Sequence, residues 1–283
     1  MRRRSALLFL AVLMASLTLP ARSARADDLQ RGDAAWANRA RCEQDGRPES
    51  EEIRAAIRAY ESALAERPES LEVRWKLLRA LHFAGDFVPA SEEREREIFD
   101  RARSVSEEGL ARLMELSDPG EPLDELAPES LRRRVEGLGE SPGDVARFHF
   151  WSAINWGAWS RRTGLLQAVR QGVANRLERY VQVTIALEPE CEEGGAFRLL
   201  GRLHAELPQV PFISGWVDRD AAIPLLERGF EIAPDHPGNR LLLALTLIDL
   251  APERTPEALD LLGQVATLTP RPEMKIEELA MRT

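Results

Sequence analysis

Gly139-Glu140-Ser141-Pro142-Gly143 has the G-x-S-x-G spacing of a hydrolase nucleophile elbow, so the search for chemistry starts there. Such an elbow needs a strand before the serine and a backbone N–H after it, which helps to hold the oxyanion. No strand pattern precedes Ser141, and the next residue is Pro142, which has no N–H to offer. Ser141 reads instead as a helix N-cap. His82, His149, His204 and His236 stand in no metal-ligand spacing. His82 and His204 fall near the ends of predicted helices, where a histidine is usually packed or solvated. Cys191 lies among Glu190, Glu192 and Glu193. Neighbouring carboxylates raise a thiol pKa and work against a nucleophilic thiolate. No glycine-rich phosphate loop follows a strand. The sequence therefore points to no catalytic residue, no metal ligand and no cofactor, and the chain is expected not to be an enzyme.

The most unusual stretch runs from Phe148 to Trp159 and holds three of the six tryptophans within nine residues. On a helix, Phe148, Trp151, Asn155 and Trp159 share one face, with His149 and Trp156 on another. Two readings stand side by side. The rings are core, filling a helical seam, or they wall a groove in which Asn155 is a polar handle. In the second reading Trp151, Asn155 and Trp159 bind a ligand or partner, and Trp216 closes over them from a later loop. Gly157 within a helix costs ~1 kcal/mol relative to alanine, and a tight contact is expected there.

The elements that must carry these residues are helices. Apolar residues recur at helical spacing, as in Ile53, Ala56, Ile57, Tyr60, Ala63 and Leu64, and no run alternates with period two. Three segments share a template: Ala56, Tyr60, Ala63, Pro68; then Ala222, Leu226, Gly229, Pro234; then Ala258, Leu262, Val265, Pro270. The last two are offset by 36 residues, close to the roughly 34 of a tetratricopeptide repeat. Small residues at the first and third positions let paired helices approach, and the proline fixes the turn that ends the helix. Ser50, Ser141 and Thr255 are placed as caps before acidic or proline-led first turns.

The fold class is thus all-α, a tetratricopeptide-like solenoid of about five helical hairpins. These are 29–42 with 50–66, 70–84 with 90–116, 142–161 with 164–187, 193–206 with 219–232, and 237–250 with 255–268. An insertion at about 117–141 separates the second from the third and carries one short helix near Leu131–Gly137. The tail after Pro270 adds a capping turn. Stacking buries faces that one hairpin alone leaves open, so residues 27–283 are read as a single repeat domain.

Residues 1–26 read as a secretory signal peptide. Arg2–Arg4 precede an apolar run from Ala6 to Leu19, and Ala24-Arg25-Ala26 is an A-x-A cleavage pattern. The run of 14 residues is shorter than the roughly 20 needed to span a membrane. Cleavage after Ala26 removes five arginines and no acid, leaving 33 basic against 47 acidic residues, a balance of −14. So acidic a surface repels phosphate backbones, and nucleic acid is not an expected partner. Arg132-Arg133-Arg134, flanked by Glu129 and Glu136, reads as a solvated helix face. An oxidising compartment allows a disulfide between Cys42 and Cys191, although in a repeat array the two stand far apart.

Phe150-Trp151 followed by Trp156-Gly157-Ala158-Trp159 resembles the signature helix of TatT-type proteins, the tetratricopeptide-like periplasmic components associated with TRAP transporters. The likeness continues through Leu187-Glu188-Pro189, Gly194-Gly195-Ala196, Leu200-Gly201, Gly215-Trp216 and Ala222 to Pro234, covering about 144–268. It implies a periplasmic adaptor that partners a substrate-binding protein, with a cleft for an apolar small-molecule ligand and homo-oligomers among the family's arrangements. Two departures stand out: the chain lacks the cysteine of a lipid anchor, and 117–141 is inserted. The alternative is an envelope scaffold that mediates protein–protein interactions with no transporter role.

Overall fold

A computed structural model describes residues 21–41, 50–88, 90–116, 123 and 126–282, with the backbone alone at 21–27 and 50. Met1–Pro20 of the expected leader, Cys42 and most of 117–125 lie outside the described residues. Among those described there are thirteen α-helices and no strand. They are α1 (Ala21–Ala37), α2 (Ser50–Glu66), α3 (Leu71–Asp86), α4 (Glu92–Leu116), α5 (Pro128–Gly137), α6 (Pro142–Thr163), α7 (Leu165–Arg170), α8 (Val173–Leu187), α9 (Gly195–Glu206), α10 (Ala222–Ile232), α11 (Pro237–Leu250), α12 (Thr255–Thr267) and α13 (Lys275–Ala280). None of them is long and apolar enough to cross a membrane.

The pairing follows the hydrophobic pattern. The closest packing is within α1/α2, α3/α4, α6/α8, α9/α10 and α11/α12, so each expected hairpin forms. Successive pairs then join: α3 lies on α2 and α6, α8 on α9, and α10 on α11. Helix α5 is the short helix expected in the insertion, and it is docked rather than loose. Its Leu131 and Val135 are buried, and it packs on α8 and α6. Arg132 and Arg133 are exposed as expected, but Arg134 is half-buried, and Arg132 donates to the Leu187 carbonyl at the end of α8.

The template positions close the hairpins. Ala56, Ala222 and Ala258 are completely buried, as are Tyr60 and Leu226 to within 1%. Gly201 shows why small residues are needed, since a Cβ there would stand 2.7 Å from Leu226 Cγ and 3.0 Å from the Ala222 carbonyl oxygen. Leu262, the larger residue of the third template, is only half-buried. Helix α12 packs mainly on α11, and among the described residues no further hairpin covers that side chain.

Four details differ from expectation. The second helix of the third hairpin is broken into α7 and α8, because Gly172 sits at φ 61°, a left-handed conformation that ends a helix. Thr255 does not cap α12; its hydroxyl donates to the Pro252 carbonyl at 2.7 Å. Gly157 meets no tight neighbour, and a Cβ there would find only Leu177 Cδ1 at 3.9 Å. The chain after Pro270 does more than cap the last hairpin. It returns to the start of the fold, and Ile276 of α13 is buried with the core residues of α2 and α3.

Candidate functional site

Ser141 is settled by geometry. Its side chain accepts from the Asp144 N–H at 3.4 Å, with Pro142 beginning α6, so it is an N-cap. Cys191 is a buried free thiol. Burial first, and then Glu192 and Glu188, push its pKa up, which keeps it protonated.

The four residues singled out in the aromatic reading are divided by the fold. Asn155 is completely buried, and its amide nitrogen donates to the Leu78 carbonyl at 3.0 Å and to the Trp151 carbonyl at 2.8 Å. It staples α6 to α3. Trp159 is buried too, its indole N–H given to Asp100 of α4 at 2.8 Å and its ring edge-on to Trp156. Trp216 stands apart, donating to Asn175 Oδ1 at 2.9 Å and packing on His204. Trp151 lines a cavity that Asn155, Trp159 and Trp216 do not line.

That cavity, of about 520 Å3, lies where the first helices of successive hairpins meet the returning C-terminal segment. Trp36 of α1, Phe83 and Phe87 at the end of α3, and Phe150, Trp151 and Ile154 of α6 make its apolar wall. Arg198 comes from α9, and His236 is the N-cap of α11. Met274 and Met281 face the cavity from the C-terminal segment. The size falls within the ~300–1,000 Å3 typical of small-molecule sites.

Polar chemistry enters at the turn before α9. Glu192, Glu193 and Gly194 have φ of 48°, 56° and 78°, three left-handed residues in succession. For the two glutamates this conformation carries a steric cost. It turns both of their carbonyls onto Arg198, which also donates to Asn239 Oδ1 at 2.6 Å. The side chains then diverge. Glu192 accepts the Trp151 indole N–H at 3.1 Å, and Glu193 takes Arg271 in two contacts of 2.7 and 3.2 Å. At the far side, the buried Arg39 donates to Glu277 Oε1 at 2.8 Å and lies 4.0 Å from the centre of the Trp36 ring. The C-terminal segment is therefore pinned at both ends, to the turn after α1 by Glu277 and to the α8–α9 turn by Arg271.

The two histidines in the wall are held away from acid–base work. Burial pushes His82 down to about 4, against the pull of Asp86, and pushes His236 down to about 3, helped by Arg198 and Arg271. Both are neutral imidazoles near pH 7. Burial also lowers Arg79, and it brings Arg198 down to about 10. Both arginines remain charged. Sequence reasoning missed Arg79, Arg198 and the C-terminal residues. One signal was available for the first two: each is a charge embedded in an apolar first helix, within Leu77-Leu78-Arg79-Ala80-Leu81 and Phe197-Arg198-Leu199-Leu200.

No protein-family model matches the chain, and no curated protein matches it.

Proposed function

We propose that this chain is a tetratricopeptide-like adaptor of the bacterial periplasm that works by binding and performs no catalysis. Its expected partner is the substrate-binding protein of a TRAP-type uptake system. The observation that carries the binding reading is the cavity wall itself, drawn from α1, α3, α6, α9 and the start of α11. First helices of successive hairpins form the inner side of a helical-repeat array, and repeat proteins use that side for recognition. The signal-peptide pattern and the acidic balance support an exported protein that avoids nucleic acid. The TatT-like residues supply the transporter link.

The test is affinity capture of the exported protein from the periplasm, with Trp151→Ala as the paired variant. Recovery of a TRAP-type substrate-binding protein, lost in Trp151→Ala, is the expected result. A second reading, an envelope scaffold without a transporter role, is favoured by one feature. Leu165 and Leu166 on α7 and Phe212 in the 207–218 loop are exposed to 81%, 64% and fully. Exposed apolar side chains of this kind mark protein contacts when they gather in a patch. Capture of an unrelated envelope protein, unaffected by Trp151→Ala and abolished by Leu165→Ser with Leu166→Ser, selects the scaffold and discards the adaptor.

A further inference from the structure

We propose that the cavity takes a small amphiphile with an apolar body and a single carboxylate, the carboxylate seated against Arg79 and Arg198. The proposal rests on the reading of this cavity as a binding site and adds the chemistry of its occupant. Four guanidinium groups line the space. Two are already matched: Arg39 by Glu277, and Arg271 by Glu193 and Glu278. Arg79 and Arg198 have no carboxylate within ion-pairing distance among the described residues. Arg198 is held by neutral oxygens, the Glu192 and Glu193 carbonyls and Asn239 Oδ1. Arg79 lies over the Trp36 and Trp75 rings at 4.1 and 4.9 Å and meets the Tyr60 hydroxyl, and its Nε is buried without a partner.

Glu192 attracts both of these cations, and Glu193 also attracts Arg198. Glu192 exerts the largest charge–charge attraction on both Arg79 and Arg198, while its own hydrogen bond goes to Trp151. Glu273, the remaining carboxylate of the wall, is exposed. Neither guanidinium has a carboxylate of its own, because Glu277 is taken by Arg39 and Glu193 and Glu278 by Arg271. Burying a guanidinium without a direct ion pair is costly, and a carboxylate seated against it offsets that cost. Arginine offers paired N–H donors suited to a carboxylate. Around these charges the wall is Trp36, Phe83, Phe150, Trp151 and Ile154, which suits an apolar body. The C-terminal segment lies over the same space, so a compact molecule fits it better than an extended peptide does.

The experiment titrates the full mature chain by calorimetry and tryptophan fluorescence, since Trp36 and Trp151 report from the wall. The probes are dodecanoate, 1-dodecanol and dodecylammonium, each below its micelle concentration, together with 2-naphthoate. The expected result is that an acid binds while the alcohol and the ammonium are weaker by roughly tenfold or more. Preference for dodecanoate over 2-naphthoate assigns an alkyl acid such as a lipid product; the reverse assigns an aromatic acid. Arg198→Gln and Arg79→Gln are each expected to weaken acid binding by roughly tenfold, without weakening the alcohol. The selectivity of the unaltered protein stands as evidence even where a variant fails to fold. Equal binding of dodecanol and dodecanoate overturns the charge assignment while leaving an apolar binding cavity. Binding of none of the four probes overturns the small-molecule occupant, and capture of a protein partner through Trp151 is then tested separately.

Discussion

Trp151 and Trp159 lie on one face of α6, two turns apart, yet the fold gives them different work. Trp159 is 6% exposed and surrounded by Trp156, Asp100 and the Arg103 side chain. Truncation there leaves a core cavity, so Trp159→Ala is expected to cost ~3–5 kcal/mol in urea denaturation. Trp151 faces the cavity, and Trp151→Ala is expected to cost less than half of that. Similar losses for both would mean that the Trp151 ring is core and the cavity wall is misassigned. Asn155→Ala belongs with the first group, because it removes the buried link to Leu78. The histidines give a second forecast at this scale. The folded-state pKa values of His82 and His236, about 4 and about 3, lie below the ordinary ~6.5, so the unfolded chain takes up protons that the folded one refuses. The stabilisation is complete above pH ~6.5 and is lost as pH falls toward the folded values. Each histidine contributes a slope of up to about 1.4 kcal/mol per pH unit in that window. Urea midpoints measured from pH 7 to 4.5 should fall less steeply in His82→Gln. An unchanged slope would show that His82 is not a neutral buried group.

Element by element, the helices are where sequence and structure agree best, and the reasons are local. Apolar spacing in the stripe from Ile53 to Leu64, the Ser141 cap and the alanines at 56, 222 and 258 each carry their information within a few residues. The break at Gly172 is also local, but it depends on a left-handed φ that the helical pattern of 164–187 concealed. Gly157 misled in the other direction. A helical glycine suggested a close neighbour, yet the space beside it is open. Gly157→Ala is therefore expected to raise stability by up to ~1 kcal/mol through helix propensity. A destabilised variant would mean that a neighbour does press there. Ala222 sits at the opposite extreme, its carbonyl 3.0 Å from where a Gly201 Cβ would stand. Ala222→Leu should cost roughly 1–3 kcal/mol by overpacking the α9/α10 contact. A neutral result would discredit the template as the device that sets helix approach. The cavity was less legible than either, because its wall gathers one to four residues from each of five hairpins and several more from the tail. Arg79 and Arg198 are 119 positions apart in the chain, and no periodicity joins them.

Across the whole molecule, the returning C-terminal segment ties the last hairpin to the first, an arrangement beyond the nearest-neighbour contacts of a simple repeat array. Its tether to the turn after α1 is the Arg39–Glu277 pair, with side chains 4% and 11% exposed. A buried pair contributes little net stability, but removing one partner leaves an unmatched charge that costs about 3–5 kcal/mol. In Arg39→Leu, Glu277 would face that cost in place, and the segment can escape it by lifting off α1 into water. Tryptic cleavage after Lys275 reads this directly. Lys275 is exposed, but Ile276 beside it is packed into the core of the first hairpins. Where opening and reclosing are fast, cleavage follows the open fraction. Arg39→Leu is expected to accelerate that cut by roughly a hundredfold. The double variant Arg39→Leu/Glu277→Leu removes both charges, and it should return cleavage close to the rate of the unaltered protein. A double variant cleaved as fast as the single one would mean that apolar packing of Ile276 and Met274 cannot hold the segment, and that the ion pair itself is the latch. No acceleration in the single variant would show that Arg271, bound to Glu193 and Glu278, secures the segment alone.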